Sequence, residues 1–170
     1  KEYDELLASY NILAERKELY DKYDYVVMYS GKRTDVTYDQ IKSGEKIMLE
    51  NNYDPDILFT TIMVESRGNE KVKNTKSTAT GYGQFLYRTA KYVYEVLMGH
   101  GKGTYNHSMA KNGDLNMQMT AIYLSYLLDN NNGALFRSMK SYSGRDNSGT
   151  RQYLSWMNDI SEYLNYLYHY

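Results

Sequence analysis

The sequence has no cysteine, which excludes disulfides and thiolate metal sites and leaves the compartment open. A single proline and a scarcity of alternating apolar and polar residues leave little to argue for strands. No apolar run approaches the roughly 20 residues that a membrane-spanning helix needs. Neither sign of charge dominates: 20 Lys and Arg stand against 21 Asp and Glu, a formal net charge of −1. Nucleic-acid binders usually carry a basic excess, and none is present. There is no initiating methionine and no secretory signal, so the chain is expected to be a mature domain or a piece of a larger protein, with any targeting signal outside it.

Phe and Trp are scarce as well, at 3 and 1, and this throws the 21 tyrosines into relief. Tyrosine offers flat apolar area with a hydroxyl handle. Such side chains suit a groove for sugars, whose faces are apolar and whose rims carry hydroxyls; most of the 21 read equally well as core and half-buried helix residues. At 170 residues the chain is one ordinary domain, long enough to hide roughly 70% of its unfolded surface.

The apolar spacing predicts helices throughout. Leu6, Tyr10, Leu13 and Tyr20 mark an amphipathic helix from about Tyr3 to Tyr29, ended near Gly31. The run "TYDQ", Thr37 to Gln40, is a capping-box pattern that opens a second helix, with a bend considered at Gly44. In "YDPDILFTTIMVESRG", Asp54 caps, Pro55 fits the first turn and Gly68 stops the helix. A polar loop over Asn69 to Thr80 follows. Further helices are expected from about Tyr87 to Met98, Asp114 to Asp129, Gly133 to Lys140 and Thr150 to Tyr168. "GHGKGTYNHS" and "SYSGRDNSG" read as loops.

One residue in this pattern asks for a chemical reason. Leu58, Ile62 and Glu65 are spaced by four and three residues, so the carboxyl shares a stripe with core residues at the end of a greasy helix. Desolvation and the negative helix end both raise its pKa. A glutamic acid still protonated near neutral pH is what a leaving oxygen needs in order to depart. The alternative is a surface glutamate near a helix end. Other signals fall away. "GHGKGT", Gly99 to Thr104, lacks the earlier glycine, the hydroxyl after Lys102 and the preceding strand of a phosphate loop. His100 and His107 lack the further ligands a metal needs, so no metal and no cofactor is expected. Glu70 and Asp146 read as solvated charge.

Three blocks around Glu65 resemble the soluble lytic transglycosylase (SLT) family, a branch of the lysozyme-like fold. The first is Glu65-Ser66 with Ala79-x-Gly81-Tyr82-Gly83-Gln84-Phe85 and Thr89-Ala90. It is similar to the family's Glu-Ser pair, Gly-Leu-Met-Gln turn and Thr-Ala pair, with Tyr82 and Gly83 in place of Leu and Met. The second, "NMQMTAIYL" from Asn116 to Leu124, resembles Asn-Ile-x-x-Gly-x-x-Tyr-Leu, with Thr120 for Gly. The third, "SYSG" from Ser141 to Gly144, resembles Ala-Tyr-Asn-Ala-Gly, one residue short and with Ser143 for Asn. The match covers about Pro55 to Trp156.

The resemblance implies an all-α, lysozyme-like domain of the SLT and goose-type lysozyme kind over 53–170, with an N-terminal helical segment over 1–52 packed on it or leading into it. It implies cleavage of the β-1,4 bond between N-acetylmuramic acid and N-acetylglucosamine in peptidoglycan, giving 1,6-anhydro ends. A hydrolytic muramidase with the same site, or an idle glycan-binding module, are the alternatives. It assigns Glu65 as the catalytic acid and then base, with the Tyr142 hydroxyl near it. Ser66 bonds locally, and Gln84 lines the glycan groove beside Tyr82 and Gly83. Asn116 and Tyr123 support the groove floor. Each also has a structural reading: Ser66 as a helix-end hydrogen bonder, Gln84 as a turn residue, Asn116 as a cap, Tyr123 as core packing and Tyr142 as purely structural. The expected partner is the peptidoglycan strand, met at the cell wall or outside the cell, or from a phage tail. A carboxyl facing open solvent, away from any cleft bordered by Gln84 and Tyr142, overturns this reading.

Overall fold

Local chemistry sets most of the helix boundaries. The computed structural model describes residues 2–11, 14 and 34–169, with side chains through 162. Helix α1, Tyr38–Glu50, opens on the expected capping box: Thr37 Oγ1 accepts from the Gln40 N–H at 3.2 Å, and Gln40 Oε1 accepts from the Thr37 N–H at 3.0 Å. The helix runs unbroken through Gly44. A Cβ there would lie 2.5 Å from Leu58 Cδ2, so the glycine serves close approach between helices instead of a break. Helix α2, Pro55–Ser66, is capped by Asp54, and Arg67 already takes the left-handed conformation ahead of Gly68.

Helix α3, Tyr87–Tyr92, continues as a wider π-helical turn over Val93–Leu97. A short 3₁₀ helix, His107–Lys111, occupies the end of the expected glycine-rich loop. Helix α4 is Gly113–Asn130, α5 is Leu135–Ser143 and α6 is Asn147–His169. The long loop expected after Lys140 is corrected. Helix α5 holds to Ser143 and stops where Gly144 turns left-handed (φ 66°), and α6 starts three residues later. Tyr142 is therefore a helical residue, rigidly aimed.

Helix α4 lies at the centre, against α1 and α5, while α2 packs on α6. Val36, Ile41, Leu58, Ile62, Met117 and Tyr153 share the main core, so residues 34–50 and those from 53 onward bury their apolar faces together. Fully burying each large aliphatic side chain contributes roughly 1.5–3 kcal/mol. A second cluster joins Phe85, Val93, Tyr105 and Met119 under α3. Residues 2–11 are helical, with Tyr3, Leu6 and Tyr10 exposed. The rest of the expected first helix, with Leu13, Tyr20 and Gly31, lies outside the described residues. Among the described residues the structure is mostly helical with no strands, only two isolated bridges, Lys73 to Thr80 and Thr80 to Phe85, and no helix is long and apolar enough to cross a membrane.

Candidate active site

The helix that carries Leu58 and Ile62 into the core ends one turn after Ile62, and that turn holds Glu65 at the edge of a cleft of about 200 Å³. Asn74 and Ala79 of the polar loop line one part of the cleft. Gly83, Gln84 and Leu86 come from the turn and the entry to α3, and Thr89 from α3 itself. Tyr123 of α4 and Tyr142 of α5 line it as well.

Glu65 is half-buried, and burial pushes its carboxyl above the ordinary glutamate range. Two smaller influences pull the other way: a hydrogen bond from the Tyr153 hydroxyl to Oε1 at 2.9 Å, and the charge of Arg145. Arg145 is held nearby by its guanidinium lying over the rings of Tyr153, at 5.7 Å, and Trp156, at 5.2 Å. Glu65 is the one carboxylate among the lining residues. Asp146 is exposed, as expected of solvated charge, and its Oδ1 accepts the Gly149 N–H at 2.7 Å; Glu70 is half-buried, and its Oε2 accepts the Gly113 N–H at 3.1 Å. One carboxylate, with no imidazole or thiolate beside it, is a donor set fitted to proton transfer.

The glycine turn is held from beneath by Asn116, which is wholly buried. Its Oδ1 accepts from the Gly83 N–H at 3.0 Å and from Thr120 Oγ1 at 3.1 Å; its Nδ2 donates to the carbonyls of Ala110 at 2.8 Å and Thr80 at 3.3 Å. The Tyr142 hydroxyl donates to the Gly83 carbonyl at 2.7 Å. A Cβ on Gly83 would meet Thr120 Oγ1 and would stand 2.7 Å from the Tyr142 hydroxyl, so only glycine fits between α4 and α5 here. Burial and the charge of Glu65 hold the Tyr142 hydroxyl well above the usual tyrosine range, which keeps its proton on.

The cleft thus gathers Glu65, Gly83, Gln84, Tyr123 and Tyr142. Gln84 sits in the left-handed region (φ 51°), and its Nε2 donates inward to the carbonyls of Val72 and Gly81. Ser66 and Asn116 act from behind the surface; Ser66 donates to the Ile62 carbonyl at 3.1 Å and accepts the Gly68 N–H at 3.3 Å. Tyr82 is a correction. It is 0% exposed, its ring lies in the main core, and its hydroxyl donates to Gln40 Oε1 at 2.8 Å, so it does not face the cleft. Sequence reasoning passed over Tyr153 and Arg145. Arg145 adjoins the SYSG block, which was the available signal. Tyr153 reads as core on its own helix, and its contact with Glu65 spans 88 positions.

Residues 43–166 match the family model described as Transglycosylase SLT domain. Among solved structures, the 70 kDa soluble lytic transglycosylase from Escherichia coli is similar, with a TM-score of 0.53 and 19% identity. That match covers 72% of this chain and only 19% of the other, and at this identity the likeness speaks for the fold alone. No curated protein matches the chain in a sequence comparison.

Proposed function

The chain belongs to the transglycosylase SLT domain family and has an all-α, lysozyme-like fold; from that premise we propose that it cleaves the glycan strands of peptidoglycan at the MurNAc-β-1,4-GlcNAc bond. The observation that carries the reading is the single desolvated carboxyl of Glu65 in a cleft with no second acid in its lining. Most glycosidases need a pair of carboxylates flanking the bond. With one, the substrate must stabilise its own positive sugar centre.

Glu65, whose carboxyl burial pushes above the ordinary glutamate range, gives its proton to the glycosidic oxygen as the bond to C1 breaks. The muramyl N-acetyl group covers the positive C1. The ionised Glu65 then takes the proton of the C6 hydroxyl while that oxygen closes on C1. The product is a 1,6-anhydro end, no water is consumed, and Glu65 is protonated again. Tyr153 steadies the ionised form between the two steps. Tyr142, tied to the Gly83 carbonyl, and Gln84, tied to the same turn, shape the groove. Peptidoglycan as substrate puts the activity at the cell wall, as a part of a larger wall-active protein such as a virion tail protein or a secreted autolysin.

Digestion of purified peptidoglycan by the protein and by Glu65→Gln, with muropeptide masses read out, tests this. Anhydro ends, one water lighter, are expected from the first protein and not from the second. Reducing muramic ends identify a hydrolase. Equal release by both proteins removes Glu65 from the chemistry, and no release by either leaves a glycan-binding module.

A further inference from the structure

Three residues on one face of α6 form a shelf. Gly149, Tyr153 and Trp156 are spaced by four and three residues, so they stand in one stripe. Arg145, in the link between α5 and α6, lies along that stripe. A Cβ on Gly149 would stand 3.0 Å from Arg145 Cβ and 3.4 Å from its Cδ, so the glycine makes room for the arginine stem. The guanidinium rests over the rings of Tyr153 and Trp156.

An arginine held by its stem and its flat head is prepared for a carboxylate, yet it has none. Among the described residues the ion pairs are Lys46 with Glu50 and Lys91 with Glu95, and Arg145 is in neither. Asp146 beside it turns its Oδ1 to the Gly149 N–H. Arg145 is exposed, and its own N–H lies 3.4 Å from Oγ of Ser143, which lines the Glu65 cleft. The Tyr153 ring under the guanidinium carries the hydroxyl that donates to Glu65. One tyrosine thus separates an unpaired cation from the acid.

We propose that Arg145 is an anion site at the rim of the cleft, and that it takes the lactyl carboxylate of the muramyl residue whose bond is cut. This rests on the glycan-cleaving function proposed above. The occupant follows from chemistry. The muramyl ring that presents C1 to Glu65 carries the lactyl ether on C3 of the same ring, so that group stays close to the reacting atoms. Its carboxyl is ionised only where no stem peptide is attached, because the stem is joined there through a neutral amide. The cleft lining holds no cation, and among the described residues Arg145 is the cation whose charge reaches Glu65. Pairing cancels the positive charge that favours the ionised acid, so the bound carboxylate helps Glu65 keep its proton. The result is a preference for strands stripped of their stems.

Three substrates test the proposal: intact peptidoglycan strands, strands stripped by a muramoyl-alanine amidase, and stripped strands whose lactyl carboxyls are capped as methylamides. The capped strands lack both the stem and the charge, so they separate the anion from the loss of bulk. The parent protein is expected to cleave the stripped acid about tenfold faster in kcat/KM than the methylamide. Arg145→Gln is expected to bring that ratio near one, and Arg145→Lys, which keeps the charge without the fork, to fall between. A ratio taken within one variant does not depend on how much of it is folded. No preference in the parent, or a preference that survives Arg145→Gln, overturns the anion site while glycan cleavage stands. A loss on intact strands larger than on stripped ones overturns it too, because the stem would then be the ligand. If the parent releases nothing from any strand, the glycan-cleaving function falls and the anion site falls with it.

Discussion

Glu65 and Glu95 are both drawn out of water, and their surroundings push them in opposite directions. Glu65, at the end of α2, receives one hydrogen bond from Tyr153 and sits near the charge of Arg145; burial outweighs both, and its pKa rises. Glu95, in the π-helical turn after α3, is 7% exposed and saturated with donors. Lys91 Nζ lies 2.7 Å from one oxygen and 2.8 Å from the other, and the N–H groups of Gly103 and Tyr105 reach them at 3.0 and 3.1 Å. Hydrogen bonds to Lys91 and to that backbone hold its carboxyl below the ordinary range. Burial alone does not make a catalytic acid. A carboxyl becomes a proton donor when it is dried and left short of partners, and a structural tie when it is dried and fully partnered.

The largest way to sharpen this contrast is to remove each charge. Glu65→Gln keeps an acceptor for Tyr153 and is expected to lose about 10²- to 10⁴-fold in glycan cleavage with the fold intact, measured by muropeptide release and circular dichroism. Glu95→Gln is expected to retain the chemistry and instead to speed amide exchange at Gly103 and Tyr105, because the loop over residues 99–104 hangs on that carboxylate. Equal loss of activity in the two variants breaks the distinction.

A stability effect comes next. Asn116 is partnered as fully as Glu95, and Asn116→Ala strands the Gly83 N–H and the Ala110 carbonyl in the interior. A cost of about 2–3 kcal/mol is expected from urea unfolding. An unchanged midpoint would mean that the turn is not held from beneath.

The pH dependence of stability then separates the two acids by sign. The pKa of Glu65 is raised on folding, so its contribution is whole below the unfolded value of about 4.3 and is lost as pH rises through the folded value. Glu65→Gln is therefore expected to gain in melting temperature relative to the parent as pH rises from acid to neutral. The pKa of Glu95 is lowered, so its contribution is present above the unfolded value and is lost as pH falls through the folded one. The deficit of Glu95→Gln is expected at neutral pH and shrinks in acid. Parallel pH profiles of the two variants contradict the assignment.

The smallest effect is on the activity profile. Tyr153→Phe removes the hydrogen bond that favours the ionised acid, so the alkaline limb of kcat/KM is expected to move to higher pH. Movement to lower pH would mean that Tyr153 does not stabilise the carboxylate.

What was legible in the sequence was what neighbours in the chain decide. Thr37 with Gln40, Asp54 with Pro55, and the spacing of Leu58, Ile62 and Glu65 act within one or two turns, and the structure repeats them. The end of α5 was local too, since Gly144 is a helix-stop glycine with Lys140 in the last turn, but the polar run around it reads as loop. Tyr82 between two glycines looks like an exposed turn residue. Its burial is decided by Gln40, 42 positions earlier, and by α1 closing over it. Tyr153 and the donors that saturate Glu95 were hidden for the same reason: whether a buried carboxyl is starved or satisfied depends on groups the fold brings from elsewhere.

Site-resolved NMR titration of the glutamate side-chain carboxyls tests the central claim most directly. Glu65 is predicted to titrate above an ordinary glutamate and Glu95 below it, in the same sample. A midpoint for Glu65 at or below the ordinary value would contradict the account, because the cleft would then hold a carboxylate with no proton to give.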